Sequence, residues 1–188
     1  MSRLPPLNIA ELDPELQAVM SVTEEMMGFT PNDGLIMARH PALLKAVLAL
    51  VQAVYQSGSV PIALKKMVAL MTSSASGCQY CEAHTRYGSL QAGVSAQKIA
   101  AIWQYPTSDL FTDAERIALD VARNAALVPN AVSDSQFNEL RNYFSDEQIV
   151  ELLGVISLFG FLNRWNSSLV TALESTLKTK LSALNMSD

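Results

Sequence analysis

A basic stripe is missing from this sequence. Thirteen Lys and Arg residues are scattered over 188 positions, with Lys65-Lys66 the one adjacent pair, against eighteen Asp and Glu, for a formal net charge of −5. Such a surface offers no track for phosphates, so nucleic acid is not an expected partner. A long apolar run is missing too: the longest, Ile149 to Leu162, includes Glu151 and spans fourteen residues, short of the roughly 20 that cross a bilayer. No membrane partner is expected. The opening stretch "MSRLPPLNIAELDPEL" has no apolar block followed by a small-residue cleavage site, which argues against a secretory leader and for a cytoplasmic setting. Cysteine is scarce, two residues in all, so disulfide staples are not what holds the fold. In a reducing compartment, two close cysteines point to catalysis or metal binding before a structural bridge.

Strand signals are nearly absent as well. Ala, Leu, Met and Gln recur with apolar residues three and four apart, so the fold class is all-α, a multi-helical bundle in one domain over residues 1–188. Pro14 opens a helix toward Met27, a short helical turn covers Leu35 to Arg39, and Pro41 starts a segment to about Gln56. "SGSVP" breaks that segment, and Pro61 takes the first position of the next helix, which runs to about Ser74. A further helix begins at or near Cys78 and continues to about Gln91; Ser95, Thr112, Ser133 and Ser145 read as caps of later helices. The last segments, Asp146 to about Leu184, are expected to be interrupted or bent somewhere near "LNRWNSS". Charged residues are only 16% of the chain and mean hydropathy is +0.19, which leaves more apolar surface than one core needs and predicts homo-oligomerisation.

The chemistry concentrates in "SGCQYCEAHTRYG", residues 76–88, which holds both cysteines and one of the two histidines. At about 100° per residue, Cys81 falls between Cys78 and His84 on the helical wheel. A thiol near a helix N-terminus feels the positive end of the macrodipole, and an imidazole one turn on can take its proton. This assigns Cys81 as attacking thiolate, His84 as its acid-base partner and Cys78 as the resolving thiol, with an intramolecular disulfide as product. Two other readings compete. The same three side chains supply soft metal ligands, but a structural zinc wants four, and His40 is 44 residues before His84. Two cysteines can also merely pack, although Tyr80, Glu82, Thr85 and Arg86 make this a mixed helix.

"SASGCQYCEAH", preceded by "PIALKKMVALMTS" and followed by "FTDAERIALDVARNAA" and "FSDEQIVELLGVISLFGFLNRWNSSL", resembles the alkylhydroperoxidase D-like or carboxymuconolactone decarboxylase superfamily, in its peroxidase-related branch. The likeness runs from about Pro41 to Leu169. It implies a helical subunit assembled as a trimer or hexamer, needing no cofactor, that reduces a hydroperoxide or disulfide with electrons from a thiol or dihydrolipoyl donor. It carries over the same roles for Cys81, Cys78 and His84. The sequence departs from the family twice. Twelve residues before Cys78, where the family usually has the glutamate of its proton relay, stands Lys66; a cation can lower a thiol pKa but is no base at neutral pH. Redox members often place His four residues after the second cysteine, where this chain has Thr85. Glu82 is the candidate substitute base and Tyr80 a candidate hydrogen-bond donor; as structural residues, Glu82 is a solvated side chain, Lys66 a surface charge and Tyr80 a packed ring. His40 reads as a local cap. Asn163, Arg164 and Asn166 read as satisfied buried polar groups or a subunit contact. The alternatives to a redox enzyme are a lactone decarboxylase and a non-enzymatic oligomer that senses oxidants or binds a small ligand.

Overall fold

The computed structural model describes residues 1–56 and 58–184. Six of its helices start where a side chain satisfies an orphan N–H group. The side chains of Thr112, Ser133 and Ser145 accept from the amide three residues on, while Glu115, Gln136 and Gln148 reach back to the cap amide, three complete capping boxes. Asp13 caps α1 (Pro14–Met27), with Pro14 at the position that needs no N–H. His40 Nδ1 accepts from Leu43 N at 3.2 Å, the local capping role expected of it, at the start of α3 (Pro41–Tyr55). Between them lies α2 (Asn32–Met37). Pro61 sits one position outside α4 (Ile62–Ala75) instead of inside it. The "SGSVP" break includes Ser57, which lies outside the described residues.

α4 is the centre of the bundle. It buries every residue from Met67 to Ser73 and packs against α5 (Gln79–Gln91), α7 (Asp113–Ala125) and α9 (Asp146–Leu169). The short α6 (Ala96–Ala100) and α8 (Asp134–Leu140) flank this core. A second apolar cluster, Leu12, Leu16, Met20, Met37, Ala38 and Leu44 with Trp165, fastens α1 to α3 onto α9. α3 is nearly all Ala, Leu and Val, yet Leu44 is the one residue it buries.

The break expected near "LNRWNSS" comes directly after it: α9 continues through those residues to Leu169, and the chain turns at Val170, which takes φ 50° and ψ 48°. That left-handed conformation is costly for a β-branched residue. The N-terminal segment ties the corner down. Arg3 N donates to Leu169 O at 2.7 Å, Arg3 Nη1 to Ser168 O at 2.9 Å, and Ala172 N to Ser2 Oγ at 2.9 Å. The corner leads into α10 (Ser175–Ala183) and delivers Glu174 to the interior.

Candidate functional site

Gly77, at φ 67°, turns the chain between α4 and α5. Cys78 is therefore the cap residue of α5, one position earlier than a first-turn placement, and Cys81 lies in the first turn. Both thiols are free and buried. This single step changes their electrostatics. The neighbouring Cys81 thiol, the amides of Cys81 and Tyr80 and the Ser167 hydroxyl together outweigh burial and pull the Cys78 pKa down to about 6, although no side-chain hydrogen bond caps α5 at Cys78. Cys81 is pushed up by donating to Cys78, by burial, and by the charges of Cys78 and Asp33, against one lowering contact from Asn166. At the cap of α5 the Cys78 pKa is lowered, while that of the first-turn Cys81, the expected site of the thiolate, is raised.

His84 is occupied elsewhere. Its Nε2 lies 2.9 Å from Glu174 Oε2, and since an ionised carboxylate only accepts, Nε2 carries the proton and Nδ1 the lone pair. Tyr80 Oη donates toward Glu174 Oε1 at 2.7 Å and toward Asp33 Oδ1 at 3.2 Å, and Asn32 N donates to Glu174 Oε1 at 2.6 Å. Burial works against ionising Glu174, but His84, the Asn32 amide and Tyr80 outweigh it and leave its pKa below the usual carboxylate value. Burial, with the charges of Asp33 and Glu174, holds the Tyr80 hydroxyl protonated well above its ordinary range. Asn166 Nδ2 bridges the last gap, 3.4 Å from Cys81 Sγ and 3.2 Å from Asp33 Oδ2. The cluster thus joins α2, α5, α9 and the α9–α10 corner around the thiol pair.

Other candidates have structural tasks. Thr85 Oγ1 donates into its own helix, to Cys81 O at 2.8 Å and Glu82 O at 3.0 Å. Glu82 pairs with Arg86 one turn on, at 2.7 Å, and neither this carboxylate nor Thr85 reaches the thiols through a described hydrogen bond. Asn163 Nδ2 donates to Thr72 O and Ser76 Oγ, but its buried Oδ1 has no partner among the described residues, so this polar group is satisfied only in part. Lys66 is not a surface charge. Its Nζ stands 3.6 Å from the Tyr55 ring centroid, it packs against Gly88, and burial draws its pKa down to about 8. Among the described residues no group of three or more His, Cys, Asp or Glu could hold a metal ion, and no helix is long and apolar enough to cross a membrane. Two concavities, of about 260 Å³ at Tyr55, Pro61 and Lys65 and about 480 Å³ at Gln97, Gln104 and Leu110, lie away from the thiols.

Glu174, Asp33 and the Asn166 contact were not foreseen. Glu174 is 90 residues from His84 and Asp33 is 47 from Tyr80, separations that no motif spacing encodes.

Comparison with known proteins places this geometry in context. Residues 41–124 match the carboxymuconolactone decarboxylase family. The fold superposes on the debrominase Bmp8 with a TM-score of 0.87 and 32% identity, covering 95% of this chain and 96% of that one; a cysteine-to-alanine variant of Bmp8 is known in complex with 2,3,4-tribromopyrrole. A peroxidase-related protein with an alkylhydroperoxidase AhpD core from Ralstonia eutropha shares the fold at TM-score 0.83 and 21% identity, over 94% of each chain. The uncharacterised YnjA of Escherichia coli is 30% identical over 92 residues, which span 49% of this chain and 50% of YnjA.

Proposed function

Since the chain belongs to the carboxymuconolactone decarboxylase family, we propose that it is a dithiol oxidoreductase that passes two electrons from Cys78 and Cys81 to a hydroperoxide. The observation that carries this reading is the free, buried thiol pair at the start of α5. The Cys78 thiolate attacks the terminal peroxide oxygen; the S–O bond forms, the O–O bond breaks, and the leaving alkoxide takes a proton. The Cys81 thiol then attacks the Cys78 sulfur, closing the disulfide and releasing water with its own proton. A dithiol donor of the dihydrolipoyl type reduces the pair again. His84, one turn after Cys81 and held through Nε2 by Glu174, is the acid-base group of this scheme: its Nδ1 lone pair takes up a proton and returns it to the leaving alkoxide.

The likeness to Bmp8 across 96% of that protein favours a second substrate for the same pair, a bromine on an aromatic ring. There the thiolate attacks bromine, the C–Br electron pair stays on carbon and takes up a proton, and Cys81 displaces bromide as the disulfide closes. Self-association belongs to the same proposal, with the exposed Ala46, Ala49, Leu50 and Ala53 of α3 as the apolar surface it would cover.

Intact mass of the reduced protein after one equivalent of alkyl hydroperoxide, or of a bromopyrrole, is expected to fall by two hydrogens. A mass unchanged by both reagents sinks the proposal; loss with only one of them names the substrate class. Two variants separate the sources of the acid-base carboxylate. Glu174→Gln is expected to slow disulfide closure by at least about tenfold, on the scale of general acid-base catalysis, and Lys66→Glu to give no gain, because the carboxylate role is filled from the α9–α10 corner. A faster Lys66→Glu enzyme in stopped-flow would return that role to α4.

A further inference from the structure

Lys180 of α10 is a half-buried cation, and none of the ion pairs among the described residues includes it. Its Nζ donates to Tyr87 Oη at 2.9 Å and stands 4.9 Å from the Tyr87 ring centroid and 5.8 Å from that of Phe29. The place is shaped for it: a Cβ at Gly28, the cap of α1, would come within 2.5 Å of Nζ, so the bare glycine admits the ammonium. Tyr87 Oη accepts a second time, from Gln91 Nε2 at 3.2 Å. With both of its lone pairs filled, its own O–H hydrogen is left to donate, beside the remaining hydrogens of the ammonium. The position is close to the proposed chemistry. Phe29 is buried and meets the His84 ring edge-on, with centroids 5.4 Å apart, so one aromatic ring separates the ammonium from the acid-base histidine.

We infer that Lys180 and Tyr87 form a carboxylate-binding site at the approach to His84, for a ligand that carries its carboxylate on an apolar chain. A partly desolvated cation without a counter-charge gains most from an anion. The ammonium and phenol hydrogens supply charge-assisted hydrogen bonds to the two oxygens of one carboxylate, and the rings of Phe29 and Tyr87 offer apolar surface to the chain behind it. A phosphate would call for a guanidinium fork or several cations, and Lys180 is one cation. Two reactants of the proposed scheme can carry such a group, the hydroperoxide and the dithiol donor. The ligand's part in turnover rests on that scheme; the anion site itself does not.

Binding tests the site without turnover. The reduced full-length protein is titrated with octanoate and with octanamide by ligand-observed NMR. Octanoate is expected to bind at least about fivefold tighter, within the scale of one hydrogen bond to a charged group. Lys180→Met keeps much of the apolar stem and should bring the two affinities together; Lys180→Gln serves if that variant does not fold. Equal affinities in wild type, or an octanoate preference that survives in the folded Lys180 variant, overturn the inference. Two half-reactions then assign the carrier. Reduction of the Cys78–Cys81 disulfide by dihydrolipoate is compared with dihydrolipoamide, and oxidation of the thiols by a hydroperoxy fatty acid with its methyl ester. A carboxylate preference of about fivefold in one of them, carried by KM and lost in Lys180→Met, names the donor or the hydroperoxide as the ligand. Turnover with no carboxylate preference in either overturns the site's part in the reaction. No reaction in any arm, with octanoate bound as expected, overturns the proposed function and leaves the site standing.

Discussion

Cys78→Ser is expected to abolish reaction at the thiol pair, and Cys81→Ser to stop it halfway. With the thiolate on Cys78, a Ser there removes the nucleophile, and the remaining Cys81 is held protonated by burial and by Asp33. In Cys81→Ser the nucleophile survives, attacks its substrate once and waits as a sulfenic acid, or as its adduct with a trapping thiol. Mass spectrometry distinguishes the two outcomes directly: one retained oxygen or one trapped adduct on Cys78, against no change. The Cys81→Ser protein should also react more slowly than wild type, since the thiol donation that lowers the Cys78 pKa most is weakened. In wild type the rate should climb as pH rises through about 6 and then level off. Stability moves in the same direction. A group whose folded pKa lies below its unfolded value, about 8.5 for a free thiol, contributes its full stability above the unfolded value and loses it as pH falls toward 6. A reactive Cys81 in the Cys78→Ser variant, with a silent Cys81→Ser, would reverse the assignment.

The helices and the thiol pair could be read from sequence because their signals are local. Ser95, Thr112, Ser133 and Ser145 cap the helices they precede, and Pro14 and Pro41 open theirs. The distribution of charge over the thiols could not be read the same way. It depends on whether Cys78 is the cap or the first helical residue, a difference of one position set by Gly77 at positive φ, and helix ends are the least certain part of any periodic pattern. The carboxylates were hidden for another reason. Lys66 drew attention because it occupies a spacing at which a base is expected, whereas Glu174 reaches His84 through a turn at Val170 that carries no glycine or proline. Asn166 shows the limit of composition: it was recognised as part of a buried polar island, but its partners, a sulfur and the Asp33 carboxylate, come from helices α5 and α2.

The adjacent lysines, which by sequence look equivalent, have different surroundings, and this leads to the largest expected loss of stability. The Lys65 side chain is 3% exposed, and its Nζ lies 2.8 Å from Glu151 Oε2 and 2.9 Å from Val54 O. Glu151 also accepts from Ser59 N at 2.8 Å and Ser59 Oγ at 2.9 Å, pinning the start of α4 to α9. Lys65, the Ser59 amide and hydroxyl, and Val60 N hold the Glu151 pKa down to about 2, against its burial. Glu151→Ala leaves a buried ammonium without a counter-charge and is expected to cost about 3–5 kcal/mol, the range for breaking a buried pair. Lys65→Met should cost clearly less, because the methionine fills the same apolar space and Glu151, with its side chain 21% exposed, keeps its Ser59 donors and some water. The asymmetry, measured by urea unfolding of both single variants, is the prediction; equal losses would mean that the pair acts only through packing. The acid limb follows from the sign of the shift. A carboxyl with its folded pKa below the unfolded value of about 4.3 stabilises fully above that value and loses the contribution as pH falls toward 2. Wild type should therefore lose stability between about pH 4 and 2 more steeply than Glu151→Gln, in which there is no proton to gain.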